Sequence, residues 1–165
     1  MGVEGGKGQT WIEDSSNPAG GYWTYTITSE WKATEMTDNL LPDPLWEGGG
    51  IKLVYAGPHC HAPSCLGMEL WNVDTDELLC KMAPEYGDGK GEKFDEFMYA
   101  TLPPCIYSGD SDSDSGGDDD ILSKQPFLPW NTTIKSICIQ NSTTAHYGQM
   151  ASWQMRGYYV NGTSA

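Results

Sequence analysis

The chain alternates short apolar or aromatic runs with loops rich in glycine, proline and aspartate, and this pattern is typical of β-strands. Residues 20–31 combine β-branched and aromatic residues with partial alternation, and residues 51–57 form a short apolar run. Between these runs, residues 37–50 contain two prolines and three glycines, which predicts a loop. No segment carries a clear amphipathic helix of three turns.

A β-hairpin is predicted where residues 66–73 and 77–83 flank a short polar turn at 74–76. Further strands are predicted over 94–102, 132–140 and 146–160. Short strands at spacings of roughly 10 to 20 residues, joined by such loops, predict an all-β fold of the antiparallel β-sandwich or jelly-roll type.

The length of 165 residues predicts a single domain, 1–165, with one hydrophobic core. Within it, residues 1–18 are predicted to form an extended N-terminal arm. Such an arm can add a strand to the sheet edge of a neighbouring copy, which is a simple route to a polymer. Residues 108–120, SGDSDSDSGGDDD, are predicted to be an acidic surface loop.

The charge balance excludes two classes of partner. Nine basic residues face 23 acidic ones, for a net charge of −14. A nucleic-acid binder needs clustered Lys and Arg, and an anionic membrane surface would repel this chain. No run approaches the roughly 18 apolar residues of a membrane helix. The expected partners are copies of the chain, other surface proteins or glycans, with metal ions, basic proteins and calcium-bridged polymers also open.

Three N-glycosylation sequons indicate the secretory pathway, because glycosylation occurs there. They begin at Asn131, Asn141 and Asn161. Thr-rich strand ends can also produce sequons by chance. The N-terminus shows no apolar signal segment, so the sequence is expected to be a mature or trimmed form of an extracellular or cell-surface protein, or else a cytosolic one.

Five cysteines leave at least one thiol free or paired outside the chain. Cys60 and Cys65 are separated by four residues that include a proline, which suits a turn closed by a disulfide. Cys80 and Cys105 can form a second bridge, and Cys138 has the surroundings of a small buried hydrophobic residue. The sequence leaves the connectivity open.

The segment GPHCHAPSC contains two of the three histidines, His59 and His61. In a strand these two side chains would lie on one face, because side chains alternate with a period of two. With His146 they would form a three-histidine site for copper or zinc that keeps an open coordination position.

The alternative interpretation of GPHCHAPSC is structural. Pro58 and Pro63 indicate a loop, and a Cys60–Cys65 disulfide would leave the histidines beside a stapled turn. A zinc site that used these two cysteines would need a reducing compartment, which conflicts with the sequons.

The acidic run offers a candidate calcium site. Asp110, Asp112 and Asp114 alternate as the ligands of calcium loops do. The EF-hand pattern fails, because its glycine and glutamate positions, counted from Asp110, are Ser115 and Ile121. Only an irregular calcium site is therefore possible, and the alternative is a solvated loop.

The chain has seven Trp and nine Tyr but only three Phe. An excess of Trp and Tyr is typical of surfaces where rings are partly exposed to solvent, such as interfaces and sugar-stacking sites. The candidates for exposed rings are Trp23, Trp46, Trp130 and Trp153. A carbohydrate-binding module would need at least two such rings in line on one face. The alternative places most of them in the core.

No catalytic motif of the G-x-S-x-G, H-E-x-x-H or P-loop type is present, so the sequence assigns no reaction and favours a protein that is not an enzyme.

Several segments resemble a group of uncharacterised secreted or surface proteins of algae and other microbial eukaryotes that carry no established activity. The matching segments are LLPDPLWEG (40–48), HCHAPSC (59–65), ELWNVDTDELLC (69–80), the LPPC that ends at Cys105, and HYGQMASWQMRG (146–157). The resemblance implies a shared domain. It also implies a shared site of His59, His61 and His146, because both histidine segments are among the matching pieces.

The preferred hypothesis is an extracellular, N-glycosylated, acidic β-sandwich module with a structural or binding role, such as a self-assembling surface or filament subunit. The alternatives are a copper or zinc metalloprotein that uses the three histidines, and a carbohydrate-binding module.

Overall fold

The computed structural model describes residues 9–16, 23–36, 41–42, 44–90, 96–97, 99–107, 125–142 and 150–162, with the backbone alone for 9–16 and 23. The strands in these residues are β1 (Gln9–Ser16), β2 (Trp23–Lys32), β3 (Gly50–Cys60), β4 (Cys65–Asn72), β5 (Glu77–Met82), β6 (Glu85–Tyr86), β7 (Ala100–Thr101), β8 (Cys105–Ile106), β9 (Phe127–Pro129), β10 (Thr133–Ser142) and β11 (Ala151–Val160). One 3-10 helix spans Ala33–Met36. The predicted all-β antiparallel fold is confirmed.

The larger sheet has five strands in the order β1-β2-β10-β4-β5. Its neighbouring strands all pair antiparallel. The predicted hairpin is present as β4 and β5, whose turn contains Asp76 at a φ of 54°. The left-handed region favours short polar residues such as aspartate, so the turn chemistry agrees with the hairpin.

The smaller sheet is built around β3. Strand β11 pairs along one side of β3 from Gly50 to Cys60. On the other side, β9 pairs with residues 50–52 and β8 pairs with Tyr55 and Ala56. Strands β6 and β7 form a separate two-stranded ladder. The outer half of β3, beyond Ala56, therefore has β11 as its partner among the described strands.

Both sheets contribute to a single hydrophobic core. Leu70 of β4, Leu53 of β3 and Trp153 of β11 are each at most 1% exposed and belong to the same buried cluster. The indole N–H of Trp153 crosses between the sheets and donates to Ser136 Oγ of β10 at 2.9 Å. This bond explains a buried serine, because a buried indole N–H needs an acceptor.

One sequence prediction about β3 is wrong, and the predicted N-terminal arm is described only in part. Pro58 lies within β3, opposite Trp153, and not in a loop. Proline is accommodated because β3 has no described partner on its second side at this point, so its missing N–H costs no ladder bond. Residues 9–16 of the expected N-terminal arm form β1 in the chain's own sheet, where they cover the edge of β2. The rest of residues 1–18 lies outside the described residues.

The strand predicted over 94–102 is also largely wrong. Of its described residues, only Ala100 and Thr101 belong to a strand. Phe97 and Tyr99 are 76% and 59% exposed, so they lack the neighbouring strand that would bury one face of a strand here. In the part of the chain that the structure describes, no helix is long and apolar enough to cross a membrane.

Candidate functional site

The HCHAPSC segment ends β3 and turns into β4. A disulfide joins Cys60 to Cys65 across the turn. The carbonyl of His61 accepts hydrogen bonds from the Cys65 N–H at 3.1 Å and from Ser64 Oγ at 3.0 Å, and the Ala62–Pro63 peptide bond is cis. The disulfide and these hydrogen bonds make the segment a stapled turn.

Both histidines of this turn are exposed at the surface. The rings of His59 and His61 lie perpendicular to each other with centroids 5.6 Å apart. His146, the third predicted ligand, lies outside the described residues, as do Asp110, Asp112 and Asp114. Among the described residues no group of three metal-ligating side chains is present. The three-histidine site and the calcium site therefore stay predictions.

The remaining cysteines lie in the core. A second disulfide joins Cys80 of β5 to Cys105 of β8 and so links the two sheets. Cys138 of β10 is a buried free thiol. Burial raises the pKa of Cys138, and the hydrogen bond that Gln140 Nε2 donates to its sulfur at 3.4 Å offsets only part of this effect. A buried thiol with a raised pKa is a poor nucleophile, so Cys138 has a packing role.

The three sequon asparagines lie at strand ends. Asn131 is exposed in the turn between β9 and β10, and Asn161 is exposed directly after β11. Asn141 lies near the end of β10 and is half-buried, and its backbone N–H donates to the carbonyl of Ser64. Two of the three sites therefore offer the open surface that a glycan needs.

The tryptophans proposed as exposed rings do not form a surface row. Trp153 and Trp130 are buried, and the Trp130 indole N–H donates to the carbonyl of Trp46 at 2.8 Å. Trp46 is 39% exposed, and the side chain of Trp23 lies outside the described residues. The interpretation of Trp130 and Trp153 as rings partly exposed at the surface is wrong, because both rings are buried and both indole N–H groups donate hydrogen bonds within the protein.

A different aromatic surface lies on the outer face of the smaller sheet. We call it the β3–β11 face. Strand pairing arranges its residues in rows across the sheet, since residues opposite each other share a face. The rows are Tyr158–Lys52–Phe127, Arg156–Tyr55–Ile106, Gln154–Gly57 and Ser152–His59. Over the seven residue steps from Lys52 to His59 the face extends about 23 Å along the strand.

Two aromatic rings of this face lie over glycines. A Cβ atom at Gly57 would collide with the ring and hydroxyl of Tyr55, two residues earlier on the same strand. A Cβ atom at Gly50 would collide with Phe127 Cε2, 2.8 Å away, and with the backbone of Leu128. The Tyr55 ring thus lies along the sheet over Gly57, and the residue is half-buried.

Polar groups surround these rings. Tyr158 is 46% exposed, and its hydroxyl donates to Gln125 Oε1 at 2.8 Å. Arg156 and Gln154 are exposed on β11, while the Tyr55 hydroxyl has no hydrogen-bond partner among the described residues. The face therefore combines flat apolar rings with unused donors and acceptors, as ligand sites do.

The sequence analysis missed this face, although two signals for it are present. Gln154, Arg156 and Tyr158 alternate with buried Trp153 and Met155, as expected for a strand with one solvated face. Glycines at 50 and 57 of the paired strand provide room for aromatic rings to lie over the backbone. Both signals require the register of β3 against β11, which the sequence does not provide.

Comparisons of the chain with protein-family models, with curated proteins and with solved structures found no match in any of the three.

Proposed function

We propose that the chain is an extracellular, N-glycosylated β-sandwich module that binds polysaccharide through the β3–β11 face. The observation that carries the proposal is the Tyr55 ring lying over Gly57, with Gln154 and Arg156 beside it. A pyranose ring has an apolar C–H face and a rim of hydroxyl groups. A flat aromatic ring suits the first, and amide and guanidinium groups suit the second.

The cysteines and sequons support the extracellular part of the proposal. Disulfides persist in oxidising compartments, and both cysteine pairs of this chain are bridged. Intact-mass measurement of protein secreted from a eukaryotic host, before and after enzymatic deglycosylation, tests the glycans. We expect Asn131 and Asn161 to carry glycans. Unmodified asparagine at both positions would contradict this part.

Affinity electrophoresis in a panel of neutral and acidic polysaccharides tests the binding role. We expect at least one polysaccharide to retard the protein. Tyr55→Ala should weaken that binding by up to about tenfold, as expected when one stacked ring is removed. Tyr99→Ala is the matched control, because Tyr99 is exposed and does not belong to the rows of this face. Binding that Tyr99→Ala and Tyr55→Ala weaken equally, or no binding at all, would contradict the proposal.

A self-assembling subunit is the second candidate, and the sheet edges favour it. In the described part of the chain, β1 is one edge of the larger sheet and β11 is one edge of the smaller sheet, and a long edge strand can pair with another copy. Because β1 already belongs to its own sheet, assembly would proceed by edge pairing and not through a free arm. Sedimentation velocity tests this candidate, and a monomer up to the highest soluble concentration would contradict it.

A further inference from the structure

We infer that the ligand of the β3–β11 face is an acidic polysaccharide, whose sugar ring stacks on Tyr55 and whose carboxylate or sulfate groups bind Arg156 and Lys52. The inference rests on the proposed function and specifies its class of ligand. The proposed ligand is anionic, whereas the net charge of −14 by itself favours cationic partners.

The distribution of charge over the two sheets is the first argument. On the outer face of the larger sheet, two of the lysines are paired with acids, since Lys81 contacts Glu69 at 2.9 Å and Lys135 contacts Glu30 at 4.0 Å. The third, Lys32, donates to the carbonyl of Asn131 and to Thr133 Oγ1. On the β3–β11 face, the rows contain two cationic residues and no aspartate or glutamate among the described residues. Judged on the described residues alone, this face is locally cationic in a chain with 23 acidic residues and nine basic ones.

The geometry of the two cations is the second argument. Arg156 Nη1 donates to the carbonyl of Met155 at 2.9 Å, which anchors the guanidinium and leaves its other N–H groups available. A guanidinium fork matches a carboxylate or sulfate in a bidentate manner. Lys52 is the diagonal neighbour of Arg156 across β3 and β11, at about 7–8 Å between backbones. Two long side chains at that spacing can bind one anionic group.

Salt screening determines whether the local charge of the face or the net charge of the whole chain governs the binding of an anionic ligand. The Debye length is about 8 Å at physiological ionic strength, so acids farther from the face have little effect on a ligand bound there. The two cations contact the ligand directly and dominate its electrostatic energy. The attraction should weaken when salt is raised from about 0.15 M to about 0.5 M.

Isothermal titration with matched polysaccharide pairs tests the inference. One pair is polygalacturonate and its methyl ester, and the other is carrageenan and agarose, so each pair differs chiefly in its acidic groups. We expect the acidic member of one pair to bind at least about tenfold more tightly than its neutral partner, since hydrogen bonds to charged groups contribute on that scale. The pair that shows the preference distinguishes carboxylate from sulfate.

Charge-removal variants assign the preference to residues. Arg156→Gln and Lys52→Gln should each reduce the acidic-over-neutral ratio by about tenfold, while Tyr55→Ala should weaken binding to both members. Lys90→Gln is the control, because it removes one exposed positive charge, paired with Asp88 at 3.7 Å, from a residue outside the rows of this face. Thermal unfolding of each variant verifies that the fold is intact.

The outcomes separate this inference from the proposed function. Equal binding of acidic and neutral members, lost in Tyr55→Ala, would overturn the inference and support the proposed function. Failure of every polysaccharide to bind would overturn both. A Lys90→Gln variant that loses as much affinity as Arg156→Gln would overturn the inference, because binding would then follow net charge. Self-association that is lost in Arg156→Gln, without polysaccharide binding, would assign the face to a second copy and overturn both.

Discussion

Removal of the Cys80–Cys105 disulfide should cost more stability than removal of the Cys60–Cys65 disulfide. The first closes a loop of sequence separation 25 and links the two sheets, whereas the second closes a loop of separation 5 within one turn. In the chain-entropy model, a cross-link stabilises by restricting the unfolded state, and the two loops give about 3.5 and about 2 kcal/mol. For a chain of this size, the larger value corresponds to a fall in Tm of about 7–14 °C.

The difference of about 1.5 kcal/mol is the quantity to measure, because both pairs are buried and their alanine variants leave comparable packing losses. Urea unfolding followed by tryptophan fluorescence compares the two double alanine variants with their parent. All three chains should carry Cys138→Ala, so that no free thiol can exchange with a disulfide in denaturant. The urea m-value should also rise more for Cys80→Ala/Cys105→Ala, since the released chain exposes more surface.

Two results would refute this reasoning. A Cys60→Ala/Cys65→Ala variant that loses as much stability as the other variant would show that loop length does not set the cost. A loss of about 3.5 kcal/mol with an unchanged m-value would place the stabilisation in the folded state. In that case the link between the sheets would matter for packing and not for the entropy of the unfolded chain.

Three further predictions concern titration, the aromatic face and the histidines. Burial, reinforced by Glu77, raises the pKa of Tyr107, and burial also raises that of Cys138. The unfolded chain loses these protons first as pH rises, so the free energy of unfolding should fall above about pH 9; a flat urea stability profile between about pH 8 and pH 11 would contradict this. Gly57→Ala should displace the Tyr55 ring and weaken polysaccharide binding about as much as Tyr55→Ala; unchanged affinity in titration calorimetry would show that the ring position is irrelevant. The histidine hypothesis predicts one copper or zinc ion per chain in native mass spectrometry, lost in His146→Ala; retention of the ion in that variant would exclude the three-histidine site.

The strands were predictable from the sequence where local pattern and turn chemistry agree. The hairpin of β4 and β5 follows from two apolar runs around a polar turn, and the structure pairs them directly. For β10 the alternation predicts a strand but not its buried face, because Ile137 and Ile139 compete with Ile134 and Cys138. The structure turns Ser136, Cys138 and Gln140 inwards, since Trp153 and Tyr25 provide polar partners for the serine and the glutamine.

The candidate site was less predictable, because it depends on how distant strands align. The position of the Tyr55 ring requires Gly57 on the same strand and Arg156 opposite, next to a bulge between Arg156 and Gly157. No local pattern specifies that register. The abundance of tryptophan directed attention to Trp130 and Trp153, whereas tyrosine and phenylalanine form the rings of the β3–β11 face. Residue counts do not separate rings that fill a core from rings that lie on a surface.

The covalent link between Cys80 and Cys105 also determines what a protease can release. Phe97 and Tyr99 lie within the loop that this disulfide closes, and both are widely exposed. Cleavage after either residue would yield two polypeptides that stay joined until the bridge is reduced. A chymotrypsin-treated sample should therefore run as one band without reductant and as two bands with it. In a protease-rich medium outside the cell, a nicked molecule would keep both sheets attached to each other.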